Sequence, residues 1–156
     1  MHPKAQQVID AATDAGLSIE VVEHPDGTRT AEDAAAAVGC DVARIVKSLV
    51  FTADGAPVLA LVGGDARLDE ALLADAAGGS IARADADVVR AATGCAIGGV
   101  PPFAHATPLP TFVDEPLLAH ATVWAAAGTP RHVFEVDPRE LVRIAGATVA
   151  PLSRTA

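Results

Sequence analysis

The chain has 156 residues, of which 51% are hydrophobic, so it is long and apolar enough to form the core of one ordinary domain. Its 20 acidic and 11 basic side chains give a formal net charge of −9, which excludes a protein that coats DNA or RNA through long-range attraction to phosphates. Only 3% of the residues are aromatic, too few for a platform that stacks successive bases of a single strand.

The first half of the chain alternates helical and β-like segments. Spacing and capping residues predict a helix over residues 4–15 and another over 31–38, the second capped by Thr30. A strand is expected at 19–22, and a β-hairpin is expected from residues 45–51 and 57–62 around an Asp-Gly turn.

The second half continues the alternation without a linker or a repeat, so we expect a single domain over residues 1–156. Helices are predicted at 68–77, at 86–92 after the cap Asp85, and after Pro138. A brief strand is expected at 80–82. Later strands are expected at 111–113, 121–126 and 133–136, and their short connections predict antiparallel pairing.

Lys47 lies within the first strand of the predicted hairpin, among apolar neighbours. Ile45, Leu49 and Phe51 share its face, and the other face is also apolar, so neither face of the strand is expected to be exposed to solvent. Burying an ammonium group is costly unless it meets a partner or an anionic ligand, which makes Lys47 a candidate functional residue. The alternative is a lysine whose charged end reaches solvent at a rim.

A loop rich in glycine and proline runs from Gly94 to Phe103. Its glycines could bring backbone N–H groups close to a phosphate or a developing oxyanion, although such loops are often only turns. We expect valine at Gly98 or Gly99 to obstruct a substrate there more than it harms folding. The loop lacks the residue order of a phosphate-binding P-loop or of a dinucleotide fold.

Metal and serine-hydrolase chemistry have little support in the sequence. The histidines at 24, 105, 120 and 132 lack the spacing of a helical zinc pair, and Cys40 and Cys95 form neither a CxxC motif nor a disulfide framework. No serine stands in a GxSxG elbow. We therefore expect no metal and no cofactor. The first residues resemble no signal sequence, and no apolar stretch is long enough to span a membrane, so a cytoplasmic protein is expected.

Several segments taken together resemble the YbaK/aminoacyl-tRNA synthetase-associated domain family. They are Glu23-His24-Pro25, Thr30 before the 32–37 helix, Arg44 to Phe51, Leu59 to Asp65, and the loop Gly98 to Pro102. The resemblance covers about residues 21–150. It implies an α/β fold of the α+β type, with a mixed, largely antiparallel sheet curled into a partial barrel and surrounded by helices. It also implies hydrolysis of the ester bond of mischarged aminoacyl-tRNA, as in the editing insertion of bacterial prolyl-tRNA synthetase.

The resemblance also implies site residues. Lys47 is the family's strand lysine, and Gly98 and Pro102 match its GxxxP loop, so Lys47, Gly98 and Gly99 are the expected catalytic residues. Expected substrate contacts are Ser48, Val100, Pro101, Pro102, His105, His132 and Asp137. Arg44, Arg67, Arg83 and Arg131 are candidates for a local basic patch.

The implied partner is the acceptor end of aminoacyl-tRNA, most simply of a proline-tRNA type, and an aminoacyl-tRNA synthetase is a further candidate. Neither DNA nor a membrane is expected as a partner, and the sequence leaves the oligomeric state and the edited amino acid open. The alternative is a noncatalytic module that binds an amino acid or nucleotide in the same pocket. A deacylation assay separates the two.

Overall fold

The computed structural model describes residues 2–24 and 30–154, so Pro25 of the Glu-His-Pro segment lies outside the described residues. The α-helices are Pro3–Asp14 (α1), Ala31–Val38 (α2), Glu70–Ala77 (α3), Ala86–Thr93 (α4) and Pro138–Ala145 (α5). The strands are Val21–Glu23 (β1), Val46–Ala53 (β2), Ala56–Gly63 (β3), Arg67–Leu68 (β4), Ile81–Arg83 (β5), Thr111–Asp114 (β6), Val123–Ala126 (β7), His132–Val136 (β8), Thr148–Ala150 (β9) and Ser153–Arg154 (β10). Short 3₁₀ helices occupy Val42–Arg44 and Glu115–Ala119.

The predicted helices form where their capping residues place them. Thr30 Oγ1 accepts from the Asp33 N–H at 3.1 Å, and Asp85 accepts from the Val88 N–H at 2.9 Å. The helix predicted from residue 68 begins at Glu70 instead, because Asp69 is its cap and Leu68 pairs with Ser153 in a short strand. Capping chemistry therefore determines the helix starts more closely than the apolar periodicity does.

The largest sheet has five strands in the order β5-β2-β3-β6-β9. β2 and β3 form the predicted antiparallel hairpin, in which Lys47 is opposite Val62 and Ser48 is opposite Leu61. β6 instead runs parallel to both β3 and β9. The prediction of antiparallel pairing is thus wrong for β6, because the long connection from β3 through α3 and α4 returns the chain in the same direction.

Two smaller sheets complete the strand arrangement. β1, β8 and β7 form an antiparallel sheet, which confirms the predicted pairing of the last two predicted strands, and β10 pairs with β4. A single parallel bridge between Ile45 and Trp124 connects the start of β2 to β7. The mixed, largely antiparallel α/β class is confirmed, and the sheets are not closed into a barrel.

The core covers both faces of β3. Residues 59–62 are fully buried and belong alternately to two apolar clusters, one containing Phe134 and Leu141 and the other containing Leu73 and Leu152. A strand that is buried on both faces is expected to have a continuous run of apolar residues, and β3 has such a run. β3 therefore holds the neighbouring strand β2, with Lys47 and Ser48, at a fixed place on the molecule.

Candidate active site

Lys47 and Ser48 lie near the start of β2 and line two adjoining cavities. One cavity has a volume of about 400 Å³ and includes Arg67 and Arg83, and we call it the charged cavity. The other has a volume of about 310 Å³ and is lined mainly by apolar residues, and we call it the apolar cavity. Both faces of β2 are apolar as predicted, but residues 47–50 are only half-buried because this end of the strand opens onto the cavities.

The Lys47 ammonium group keeps much of its hydrogen-bonding capacity. Its Nζ donates to the carbonyl oxygen of Ala66, which also lines the charged cavity. An ammonium group has three N–H donors, so two are left for a ligand. Within the described residues no carboxylate forms an ion pair with Lys47. The arrangement therefore offers a cation to an anion or to a carbonyl oxygen.

The Ser48 hydroxyl is a buried polar group whose hydrogen bonds are unmade. Its Oγ is shielded from solvent and has no partner in the part of the chain that the structure describes. Leaving such a group unsatisfied costs about 1–3 kcal/mol, so a bound ligand is the natural partner. Since no imidazole or carboxylate there bonds to this hydroxyl, Ser48 lacks the base that activates a serine nucleophile.

Two of the four arginines predicted as a basic patch reach the charged cavity. Arg67 on β4 and Arg83 on β5 are exposed and line it, together with Glu70 at the start of α3. Arg44 instead forms an ion pair with Glu135 at 2.9 Å. Arg131 is exposed and lines neither cavity. Among the described residues, three cationic side chains and one carboxylate therefore line the charged cavity.

The apolar cavity lies between α2 and the second sheet. α2 contributes Ala31, Ala34 and Val38, and β7 contributes Trp124. Because alanine side chains are small, α2 can pack closely against the start of β2, and space remains beside the indole ring of Trp124. Sequence reasoning did not identify Trp124, although it is the only tryptophan in the chain and lies on a strand of alternating burial.

The loop from Gly94 to Phe103 covers both cavities. Ile97 is 62% exposed, Val100 is buried, and both residues line both cavities. Gly98 lines the apolar cavity and has φ +89°, a conformation that favours glycine. Within the described residues, the N–H groups of Gly98 and Val100 make no hydrogen bond.

Gly99 is required by the loop itself. Its N–H donates to the carbonyl oxygen of Ala96 at 3.0 Å, and a Cβ at this position would lie 2.7 Å from the Cα of Thr129. The close approach that glycine permits here is therefore to the neighbouring segment of the chain. The expectation that a side chain at Gly99 would mainly obstruct a substrate does not fit this packing.

A model of the aminoacyl-tRNA editing domain matches residues 25–144 of this chain. The chain belongs to that family. The match covers the hairpin and the covering loop, and every residue that lines the charged or the apolar cavity lies within it.

Known proteins similar to this editing domain include synthetases and a free-standing chain. It is 33% identical over 123 residues to the uncharacterized protein YwhH of Bacillus subtilis, with 78% of each chain covered. It is 33% identical over 130 residues to the proline–tRNA ligase of a Geobacter species, covering 76% of this chain and 23% of the ligase. A crystal structure of a proposed trans-editing enzyme for prolyl-tRNA synthetase has a TM-score of 0.93 and 47% identity, with 99% of each chain covered.

Three further predicted contacts stabilise the covering loop of the editing domain. Pro101 and Pro102 are buried and line neither cavity. His105 Nε2 is 2.6 Å from the Pro101 carbonyl oxygen; because a carbonyl only accepts, the ring donates from this nitrogen. Burial lowers the pKa of His105, which keeps the ring neutral for this bond.

His132 and Asp137 also lie outside the walls of the two cavities. His132 is 5% exposed, with Nδ1 2.6 Å from Thr129 Oγ1 and Nε2 3.6 Å from a carboxylate oxygen of Glu23. Thr129 itself lines the apolar cavity, so His132 touches the site through it. Asp137 caps α5 by accepting from the Arg139 N–H at 2.9 Å.

The remaining sulfur and metal-binding groups are dispersed. Both cysteines are free, and burial is the main cause that raises the pKa of each thiol, which disfavours the nucleophilic thiolate. Residues 2–24 and 30–154 contain no group of three or more His, Cys, Asp or Glu side chains arranged to hold a metal ion. In the same ranges, no helix is long and apolar enough to cross a membrane.

Proposed function

We propose that this editing domain hydrolyses the ester bond of mischarged aminoacyl-tRNA, with tRNAs of the proline type as substrates. The observation that carries the proposal is the position of Lys47 and Ser48 on the wall shared by a charged and an apolar cavity, both with unused hydrogen-bonding capacity. An aminoacyl ester joins a polyanionic RNA end to a small side chain, so its two parts match the two cavities.

The aminoacyl group would occupy the apolar cavity. Its walls of alanine, Val38 and Trp124 favour an uncharged side chain, because an unpaired charge there would lose its hydration. The terminal nucleotide would lie in the charged cavity, where Arg67 and Arg83 attract phosphate and Lys47 reaches the junction between the two parts. Pocket shape then sets which amino acid is removed.

Hydrolysis requires attack by water, or by a hydroxyl group of the substrate, on the ester carbonyl carbon. The carbonyl oxygen becomes an oxyanion, which the N–H groups of Gly98 and Val100 would stabilise; in support, both residues line the apolar cavity and neither N–H makes a hydrogen bond among the described residues. The bond to the ribose oxygen then breaks, and that oxygen takes up the proton that the nucleophile gives up. Attack by water leaves a free tRNA end and an amino acid, whereas attack by a side-chain hydroxyl of the aminoacyl group leaves a free tRNA end and a cyclic ester, which water then opens to the amino acid. Lys47 and Ser48 hold the ester in position for this step, and no protein nucleophile takes part.

The test is a deacylation screen with purified protein and tRNAs charged with alanine, serine, threonine, cysteine or proline. We expect the free protein to hydrolyse at least one mischarged proline tRNA. It should spare the correctly charged one. Binding of these substrates without accelerated hydrolysis of any would overturn the proposal in favour of a noncatalytic module that uses the same cavities.

A further inference from the structure

A third cavity, with a volume of about 330 Å³, lies between the first turn of α1 and the end of α4, and we call it the amino-terminal cavity. The charged or titratable side chains that line it are those of His2, Lys4 and Arg90, and no Asp or Glu is among its described lining residues. A concavity with only basic groups is unusual on a chain whose net charge is −9. It therefore provides a local attraction for an anion that the whole protein lacks.

The basic groups are held around the cavity by the fold. His2 caps α1, and its Nδ1 accepts from the Lys4 N–H at 3.1 Å, so the neutral ring carries its proton on Nε2 as a further donor. The Lys4 ammonium donates to the carbonyl oxygen of Gly94, which leaves two N–H donors. Arg90 is exposed and has no side-chain partner among the described residues, so its guanidinium group is available.

The amino-terminal cavity adjoins the candidate active site. Thr129 and Pro130 line both it and the apolar cavity. It also adjoins the charged cavity, since Val89 of α4 lines that cavity and the next residue, Arg90, lines the amino-terminal one. An RNA strand that leaves the charged cavity past α4 therefore meets the basic groups next.

We infer that the amino-terminal cavity binds a phosphodiester group of the single-stranded 3′ segment of the tRNA. This inference rests on the proposed function, because it takes the RNA end to lie in the active site. An RNA strand has a negative charge at every nucleotide, so the nucleotides before the terminal one need cations along their path. Arg90 on α4 and Lys4 on α1 supply these cations, and the neutral ring of His2 adds an N–H donor.

The test measures equilibrium binding of uncharged proline tRNA at several salt concentrations. Arg90→Gln should weaken binding about 3- to 10-fold and reduce the slope of log affinity against log salt by about 0.7, the value for one contact to a single strand. Arg90→Lys should retain most of the affinity. The matched control is Arg139→Gln, which removes the same charge from a side chain that is 69% exposed and lines none of the three cavities.

Equal effects of Arg90→Gln and Arg139→Gln on affinity and on the salt slope would overturn the inference. Thermal melts confirm that each variant is folded before it is measured. Hydrolysis of an aminoacyl-adenosine, which has no upstream phosphate, should be the same for Arg90→Gln and the unaltered chain. If no ester is hydrolysed by any variant while Arg90→Gln still weakens binding, the proposed function fails and the phosphate site stands.

Discussion

The start of β2 and the covering loop both carry the sequence features that suggested a site, but they use their polar groups differently. On β2, Ser48 has an unpartnered hydroxyl and Lys47 retains free donors. In the loop, the Gly99 N–H and the Pro101 carbonyl oxygen are already hydrogen-bonded within the protein, whereas the neighbouring N–H of Gly98 makes no hydrogen bond among the described residues. A motif can thus be divided into groups that face a ligand and groups that maintain the shape of the loop, once each hydrogen bond is accounted for.

The strongest test of this division is Lys47→Met, which keeps the length of the side chain and removes its charge. Losing one charge-assisted contact in the transition state, worth roughly 2–4 kcal/mol, should slow deacylation by about 30- to 1,000-fold. Stability should change by only about 1 kcal/mol or less, because one hydrogen bond to Ala66 is lost while a half-buried cation no longer needs solvation. Single-turnover rates and urea denaturation measure the two effects.

The control for this variant is Arg139→Met, which removes a cation from a residue that lines neither cavity. It should leave the single-turnover rate unchanged. A Lys47→Met protein that unfolds easily but hydrolyses substrate at the original rate would show that Lys47 serves the fold. The assignment of Lys47 on β2 as a ligand-facing residue would then be wrong.

The loop side is tested by comparing Gly99→Ala with Gly98→Ala. A methyl group at Gly99 would meet the Thr129 backbone at 2.7 Å, so we expect a loss of about 1–3 kcal/mol in the free energy of unfolding. At Gly98 the nearest atom would be 3.8 Å away, and the cost is the strain of φ +89°, about 1–2 kcal/mol. Chemical denaturation ranks the two, and a Gly98 variant less stable than the Gly99 variant would contradict the assignment.

Ser48→Ala should lower turnover without lowering stability, whereas the main expected effect of Gly99→Ala is a loss of stability. Removing a buried hydroxyl that has no partner should leave the free protein equally stable or more stable. Removing its hydrogen bond to the substrate should lower kcat/KM by about 5- to 10-fold, equivalent to about 1 kcal/mol. A Ser48→Ala protein with unchanged kcat/KM on every charged tRNA that the unaltered chain hydrolyses would show that no substrate group meets this hydroxyl.

The sequence predicts the elements that carry strong local signals. Caps such as Thr30 and Asp85, and the Asp-Gly turn of the hairpin, act over a few residues and place α2, α4, β2 and β3 correctly. Strands β4, β9 and β10 have only two or three residues, and their pairing with distant partners leaves no periodic pattern. The parallel position of β6 depends in the same way on tertiary packing.

The residues of the site also fall into those with a local sequence signal and those that depend on tertiary packing. Lys47 and Ser48 are recognisable because a polar pair inside an apolar strand needs an explanation, and residue types alone suffice to see it. Trp124 reaches the site through its bridge to Ile45, and the α2 alanines reach it by packing in the same cluster, so both depend on contacts between separate segments of the chain. Asp137 shows the reverse case, since a carboxylate before a helical proline also serves as a helix cap, and this role accounts for the residue without a ligand.

The smallest expected effect concerns His105, whose pKa burial lowers below its ordinary value of 6.5. The unfolded chain then binds a proton at this group more readily than the folded protein does, so the contribution of His105 to stability is complete above pH 6.5 and is lost as the pH falls through the lower folded pKa. His105→Gln keeps an amide donor for the Pro101 carbonyl oxygen and removes the titration. The difference in unfolding free energy between the original protein and this variant should therefore shrink between about pH 7 and pH 5.

Urea denaturation at each pH measures that difference, and the other histidines cancel because both proteins contain them. A difference that stays constant with pH would show that the neutral ring is not what the loop requires. The same variant also tests the loop's role in catalysis: since His105 lines neither cavity, turnover above pH 7 should be close to that of the original protein. A large loss of turnover in a stable His105→Gln protein would place the ring in contact with substrate.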